Sequence, residues 1–175
     1  MGDPNFSALG VRKGDPHLSA ALLIERLAEL NRSGTAAKGW LQLVDAEVVA
    51  GPAHLALAIL RAERARLRGT TRLSDPGANF LCFLAGTDQF SEAVGRAGVR
   101  DGDPELVLVA SPSRELEPVA RELGLLPEAS VYPRPPREAG LLRLGVPREM
   151  LASVEPERWE LLALEQSALA DLPRG

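Results

Sequence analysis

Apolar positions return along this chain in two rhythms, and most of its elements can be read from them. Ala20, Leu23, Ile24, Leu27 and Leu30 recur at helical spacing behind Asp15-Pro16, which predicts a helix capped by Asp15 and ended at Gly34. Trp40 to Val49 (WLQLVDAEVV) predicts a strand, broken by Gly51-Pro52, and a second helix then runs to Arg68 and closes at Gly69. Asp75-Pro76 opens a third helix whose Phe80-Leu81-Cys82-Phe83-Leu84 core is apolar all round, the mark of a buried or partner-covered segment. Gly86 ends it, and Phe90, Ala93, Val94 and Ala97 at i, i+3, i+4 and i+7 mark a fourth helix stopped by Gly98.

The second half is less regular. Glu105 to Ala110 (ELVLVA) is a continuous apolar run, the pattern of a central strand covered on both faces. Leu116, Val119, Ala120 and Leu123 predict a short helix. The proline-rich stretch 127–136 predicts a loop around a brief edge strand at Val131-Tyr132, and 141–150 admits more than one reading. A final helix is expected over 157–172, with Leu161, Leu162, Leu169 and Leu172 on one stripe. No internal repeat and no long linker interrupts the series. The expected fold is α/β (α+β): a single helix-rich domain over 1–175 around a small sheet, with residues 1–5 and 173–175 frayed.

Composition narrows the function classes. Apolar residues make up 45% and aromatics 4% of the 175 residues, so Leu, Ala and Val must fill the core. No apolar run approaches the roughly 20 residues of a membrane span, and no signal peptide is read at the start, so a cytoplasmic protein without membrane contact is expected. Cys82 stands alone, which excludes an internal disulfide and a cysteine zinc site. The net charge of −4 conceals an asymmetry: residues 1–100 carry 12 Lys+Arg against 10 Asp+Glu, and residues 101–175 carry 8 against 14. A local basic surface can therefore coexist with an acidic whole.

No catalytic set emerges. Gly95-Arg96-Ala97-Gly98 lacks the spacing and preceding strand of a phosphate loop, and no Gly-x-Ser-x-Gly elbow is present. His17 and His54 fall on separate helices without ligand spacing, so neither a metal nor a cofactor is expected. Cys82 in an apolar helix reads as a small buried hydrophobe rather than a nucleophile. What does stand out is the second helix. Arg61, Arg64 and Arg68 fall within about 60° of one another at 100° per residue, with His54 close to that sector and Arg72 just past the helix end. Arginine forks suit phosphate oxygens, so these residues are candidate RNA contacts, with His54 as a stacking group. The bland alternative is a solvated helix face. In the same way, the apolar tract with Leu81, Leu84 and Phe90 is either plain core or a protein-docking surface.

Two stretches and a strand carry a family resemblance. Leu43 to Ala58 (LVDAEVVAGPAHLALA) runs a strand into a Gly51-x-x-His54-Leu55-x-x-Ala58 helix start. Leu81 to Gly98 (LCFLAGTDQFSEAVGRAG) has the apolar helix, the Gln89-Phe90 pair and an Ala93-to-Gly98 helix end, and the strand Glu105 to Ala110 follows. In this order they resemble the small regulatory subunit of the KEOPS complex, archaeal-type, the family known in animals as the PRPK-binding protein, TPRKB. The family shows a glutamate early in the apolar helix, where this chain has Asn79. The resemblance implies a non-catalytic protein with a mixed sheet flanked by helices. It also implies one that binds and stimulates the small atypical kinase/ATPase of a complex that installs threonylcarbamoyl on tRNA adenosine, and that helps hold tRNA, including the 3′ CCA end. On that reading Leu81, Leu84 and Phe90 dock the kinase, and Arg61, Arg64, Arg68, Arg72 and His54 meet RNA. The alternatives are a module that binds only protein and a small enzyme with an unrecognised carboxylate site.

Overall fold

A computed structural model describes residues 5–33 and 39–169. The chain forms two compact units, one of Met1–Ala46 and Val99–Pro133, the other of Glu47–Gly98 and Arg134–Gly175. The α+β class expected from the sequence is the class observed.

The first unit is built on a four-stranded sheet of β1 (Ser7–Lys13), β2 (Trp40–Asp45), β3 (Glu105–Ser111) and β4 (Leu125–Pro127), in the order β2-β3-β1-β4. Every ladder is antiparallel, where a mixed sheet is expected from the resemblance. β3 lies inside, with Leu43 opposite Leu108 on one side and Gly10 opposite Val107 on the other. Its run Leu106–Ala110 is fully buried, as a continuous apolar strand should be. β1 has no counterpart in the sequence reading, because SALGVRK is short and only weakly alternating. β2 ends at Asp45 rather than Val49, since Ala46–Val48 close into a 3₁₀ turn.

Helix α1 (Ala20–Arg32) covers this sheet with Leu23, Leu27 and Leu30, which join Leu41, Leu43, Leu106, Leu108, Leu123 and Leu125 in one core. The helix starts later than expected. The Ser19 hydroxyl accepts from Leu22 N at 3.2 Å as the cap, while Asp15 accepts from His17 N at 2.8 Å in a preceding turn. The expected stop at Gly34 lies outside the described residues. Asn31 of α1 bonds both Leu41 N (2.8 Å) and Leu41 O (3.0 Å), satisfying the open edge of β2. Helix α5 (Glu117–Glu122) belongs to the same unit. Val131-Tyr132 is no strand: Val131 N donates to Glu128 O at 3.1 Å in a turn, and the edge strand is β4 just before it.

The second unit is helical: α2 (Pro52–Arg68), α3 (Pro76–Ala85), α4 (Phe90–Ala97), α6 (Glu138–Arg143), α7 (Arg148–Ser153) and α8 (Trp159–Ala168). The ambiguous 141–150 segment resolves into the end of α6 and the start of α7, parted at Gly145 with φ +94°. α3 packs against α2, α4 and α8, so nearly all its residues are buried, which explains a helix apolar all round. Gly51 flanks the start of α2; its φ of +147° suits glycine, and it has no side chain to cap the helix. Glu160 of α8 does so instead, accepting from Ala53 N at 2.8 Å and His54 N at 3.2 Å. Of the stripe expected on the last helix, Leu162 is buried, Leu161 and Leu169 are exposed, and Leu172 lies outside the described residues.

Candidate nucleic-acid interface

The C-terminal half of α2 carries Arg61, Arg64 and Arg68 on successive turns. At Gly69 the chain enters the left-handed region (φ +65°), and Thr70 N returns to Ala65 O at 2.9 Å, reversing the backbone. That reversal brings Arg72 back beside the helix it has just left. The loop is then pinned by Asn79 of α3. Its amide donates to Leu73 O at 2.7 Å and Asp75 O at 2.9 Å, and its carbonyl accepts from Leu73 N at 3.3 Å. Asn79 is thus a loop anchor whose polar atoms are engaged by backbone.

All four arginines line one cleft of about 430 Å³. Its remaining wall is Thr70, Asn79, Thr87 and Asp88, and its apolar part is Ala65, Leu73, Cys82 and Phe83. Arg72 Nη1 lies 3.1 Å from Asp88 Oδ2. Arg66, which points elsewhere, is paired with Glu63 at 2.9 Å. Among the described residues neither Arg64 nor Arg68 has a carboxylate partner, and both are exposed. Four guanidinium groups and one carboxylate line this concavity, and the exposed forks of Arg64 and Arg68 suit phosphate oxygens. Burial pushes the Cys82 thiol up, so it sits in the cleft as a neutral group.

His54 does not belong to this site. It is fully buried: Nδ1 accepts from Ala50 N at 3.3 Å, and Nε2 faces Leu84 O at 3.1 Å, so Nε2 carries the proton. Desolvation lowers its pKa to about 4. A ring enclosed and bonded at both nitrogens cannot stack on a base, which corrects its assignment as an RNA contact. His54 does share an angular sector with Arg61, but that sector is the border of the buried face. His54 also continues the buried i, i+4, i+8 stripe with Ala58 and Ala62. The aromatic group that does line the cleft is Phe83, a half-buried residue of α3. The uniformly apolar pattern of α3 gave no signal that Phe83 would face outward. Asp88, also missed, follows the helix end by only a few residues, in a turn whose direction no periodicity specifies.

The apolar docking candidates divide. Leu81 (3% exposed) and Leu84 (0%) are core residues of the second unit, which corrects their assignment as a partner surface. Phe90 (44%) and Val94 (39%) are exposed one turn apart on α4, with Ala93 and Ala97 turned inward. Among the described residues no helix is long and apolar enough to cross a membrane. A family model described as kinase binding protein CGI-121 matches residues 19–127, from just before α1 to the end of β4 and including every residue that lines the cleft. No curated protein matches the chain.

Proposed function

The chain belongs to the kinase binding protein CGI-121 family, and from that premise we propose that it is the non-catalytic regulatory subunit of a KEOPS-like tRNA-modifying assembly in the cytoplasm. In this role it binds and stimulates the small atypical kinase/ATPase of that assembly and helps hold tRNA for threonylcarbamoyl transfer at adenosine. The observation that carries the RNA half is the convergence of Arg61, Arg64, Arg68 and Arg72 on one cleft, with Arg64 and Arg68 exposed and without a carboxylate partner among the described residues. Arg66, on the same helix but outside the cleft, is paired with Glu63 instead. The Phe83 ring beside the cleft arginines suits an unpaired nucleotide, with its phosphate on the guanidiniums and its base on the ring. A single-stranded 3′ CCA end has that form. For the kinase, the exposed Phe90–Val94 face of α4 supplies the apolar centre a docking surface needs.

The test of the RNA half is charge reversal. Arg64→Glu together with Arg68→Glu should abolish tRNA binding in a low-salt filter or mobility assay, with thermal stability unchanged because both side chains are exposed. Binding by the parent should weaken with salt by about 0.7 to 0.9 log units per phosphate contact for each tenfold increase. Removing CCA from the tRNA should cost the parent affinity and leave the reversed variant indifferent. A double reversal that binds tRNA as tightly as the parent returns the cleft to a solvated surface and the protein to a protein-only module.

A further inference from the structure

Arg72 enters the cleft with a carboxylate already in hand. Its Nη1 sits 3.1 Å from Asp88 Oδ2, with Arg72 about half exposed and Asp88 mostly covered. A phosphate oxygen reaching Arg72 must therefore take the place of that carboxylate or lie close beside it, where like charges repel. We propose that Asp88 is a built-in competitor for Arg72, which sets how much negative charge a ligand must bring before the cleft accepts it. This rests on the reading of the cleft as a phosphate site.

The charge balance of the exchange differs from one arginine to the next. At Arg64 and Arg68, which have no carboxylate partner among the described residues, an arriving phosphate displaces no acid, and counterions leave the RNA without replacement. At Arg72 the phosphate frees a carboxylate, which must gather a cation of its own. That contact therefore adds little net counterion release, and it is made only when the other arginines already hold the strand. Single small anions are discriminated against, and a strand with adjacent phosphates is favoured. Asp88 is a specificity-determining residue on this account.

The turn that presents Asp88 is also held by bonds other than the ion pair. Thr87 Oγ1 donates to Glu92 Oε2 at 2.6 Å and accepts from Gln89 N at 3.2 Å, and Thr87 N donates to Cys82 O at 3.2 Å. Asp88→Asn is nearly isosteric and keeps an oxygen for the Gln89 amide, which donates to Asp88 Oδ1 at 3.4 Å. Asp88→Asn thus removes the charge and keeps the bonds that Thr87 makes in the turn.

The experiment uses the full chain and a tRNA transcript, with affinity measured across a salt series for the parent, Asp88→Asn, Arg72→Gln, the double variant and Arg64→Gln/Arg68→Gln. Asp88→Asn is expected to bind about two- to fivefold tighter at low salt, the scale of a half-exposed ion pair. Its salt slope should steepen by about one contact, some 0.7 to 0.9. In the Arg72→Gln background the same change should lose most of this gain. A structural role for Asp88 predicts the opposite sign, weaker binding with a lower melting temperature. If Arg64→Gln/Arg68→Gln weakens binding but Asp88→Asn is neutral or weaker, the competitor role is overturned and the RNA reading stands. If Arg64→Gln/Arg68→Gln also binds like the parent, both fall.

Discussion

His54 shows how one side chain can be placed correctly by angle and wrongly by depth. Its ring fills a fully buried position and bridges the start of α2 to the end of α3 through Ala50 N and Leu84 O. Protonation would put a charge in that interior and take away the acceptor Ala50 uses. Its pKa is therefore lowered to about 4 by desolvation, from an ordinary 6.5. A depressed folded value means the neutral ring's contribution is complete above pH 6.5 and is lost as pH falls toward 4. At roughly 1.4 kcal/mol per unit the whole loss is about 3 kcal/mol. Thermal unfolding measured from pH 7 to pH 4 should show this decline in the parent. His54→Leu should start about 1 to 3 kcal/mol less stable at pH 7, with two backbone groups left unpartnered, and should have a flatter profile through the same window. A variant with the parent's acid sensitivity would place the titrating group elsewhere.

Among the elements, α3 and α4 divide the apolar tract between them. α3 is enclosed by α2, α4 and α8, and Gly86 at its end has φ +67°, with a Cβ there running into Gln166 O of α8. Apart from Phe83 at the cleft, such a helix has no apolar face to offer a docking protein. α4 is the opposite case: Ala93 and Ala97 seat it, and Phe90 and Val94 stand outside. Phe90 is the first residue of α4, so Phe90→Glu adds a carboxylate where a helix N-terminus favours one, and the fold should tolerate it. At a docking surface the same carboxylate would be desolvated on contact. Binding to the kinase, followed by calorimetry, should weaken by about 2 kcal/mol or more, roughly thirtyfold. Unchanged kinase affinity would remove α4 from the interface.

At the scale of the whole molecule, net charge misleads about partners. The chain carries −4 overall, yet the cleft gathers four arginines against one carboxylate. Fields in water at physiological salt fade over about 8 Å, so a phosphate at the cleft is governed by the local excess. RNA binding and kinase docking are also assigned to different elements, α2 with its following loop against α4. The Arg64→Glu/Arg68→Glu protein should therefore still co-elute with the kinase in size-exclusion chromatography while losing tRNA, and Phe90→Glu should do the reverse. Loss of both partners by either variant would mean one shared surface.

The sequence by itself determined the helices whose apolar rhythm was clear, the central strand β3, and the clustering of Arg61, Arg64 and Arg68, because these follow from local periodicity. It also determined the family, through the ordered series of residues 43–110. Tertiary structure alone decided the rest. β1 owes its existence to pairing with β3, a contact across about 100 residues of sequence that its weak pattern could not announce. Whether an apolar position is core or surface depends on what packs across from it. Leu81, Leu84 and His54 therefore went inside, while Phe90 and Phe83 kept a face outside. The cleft needed the reversal at Gly69 and the grip of Asn79 on Leu73 and Asp75 to swing Arg72 back and set it against Asp88. Spacing could show that the arginines share a side of a helix, but only packed neighbours could turn that side into the wall of a cavity.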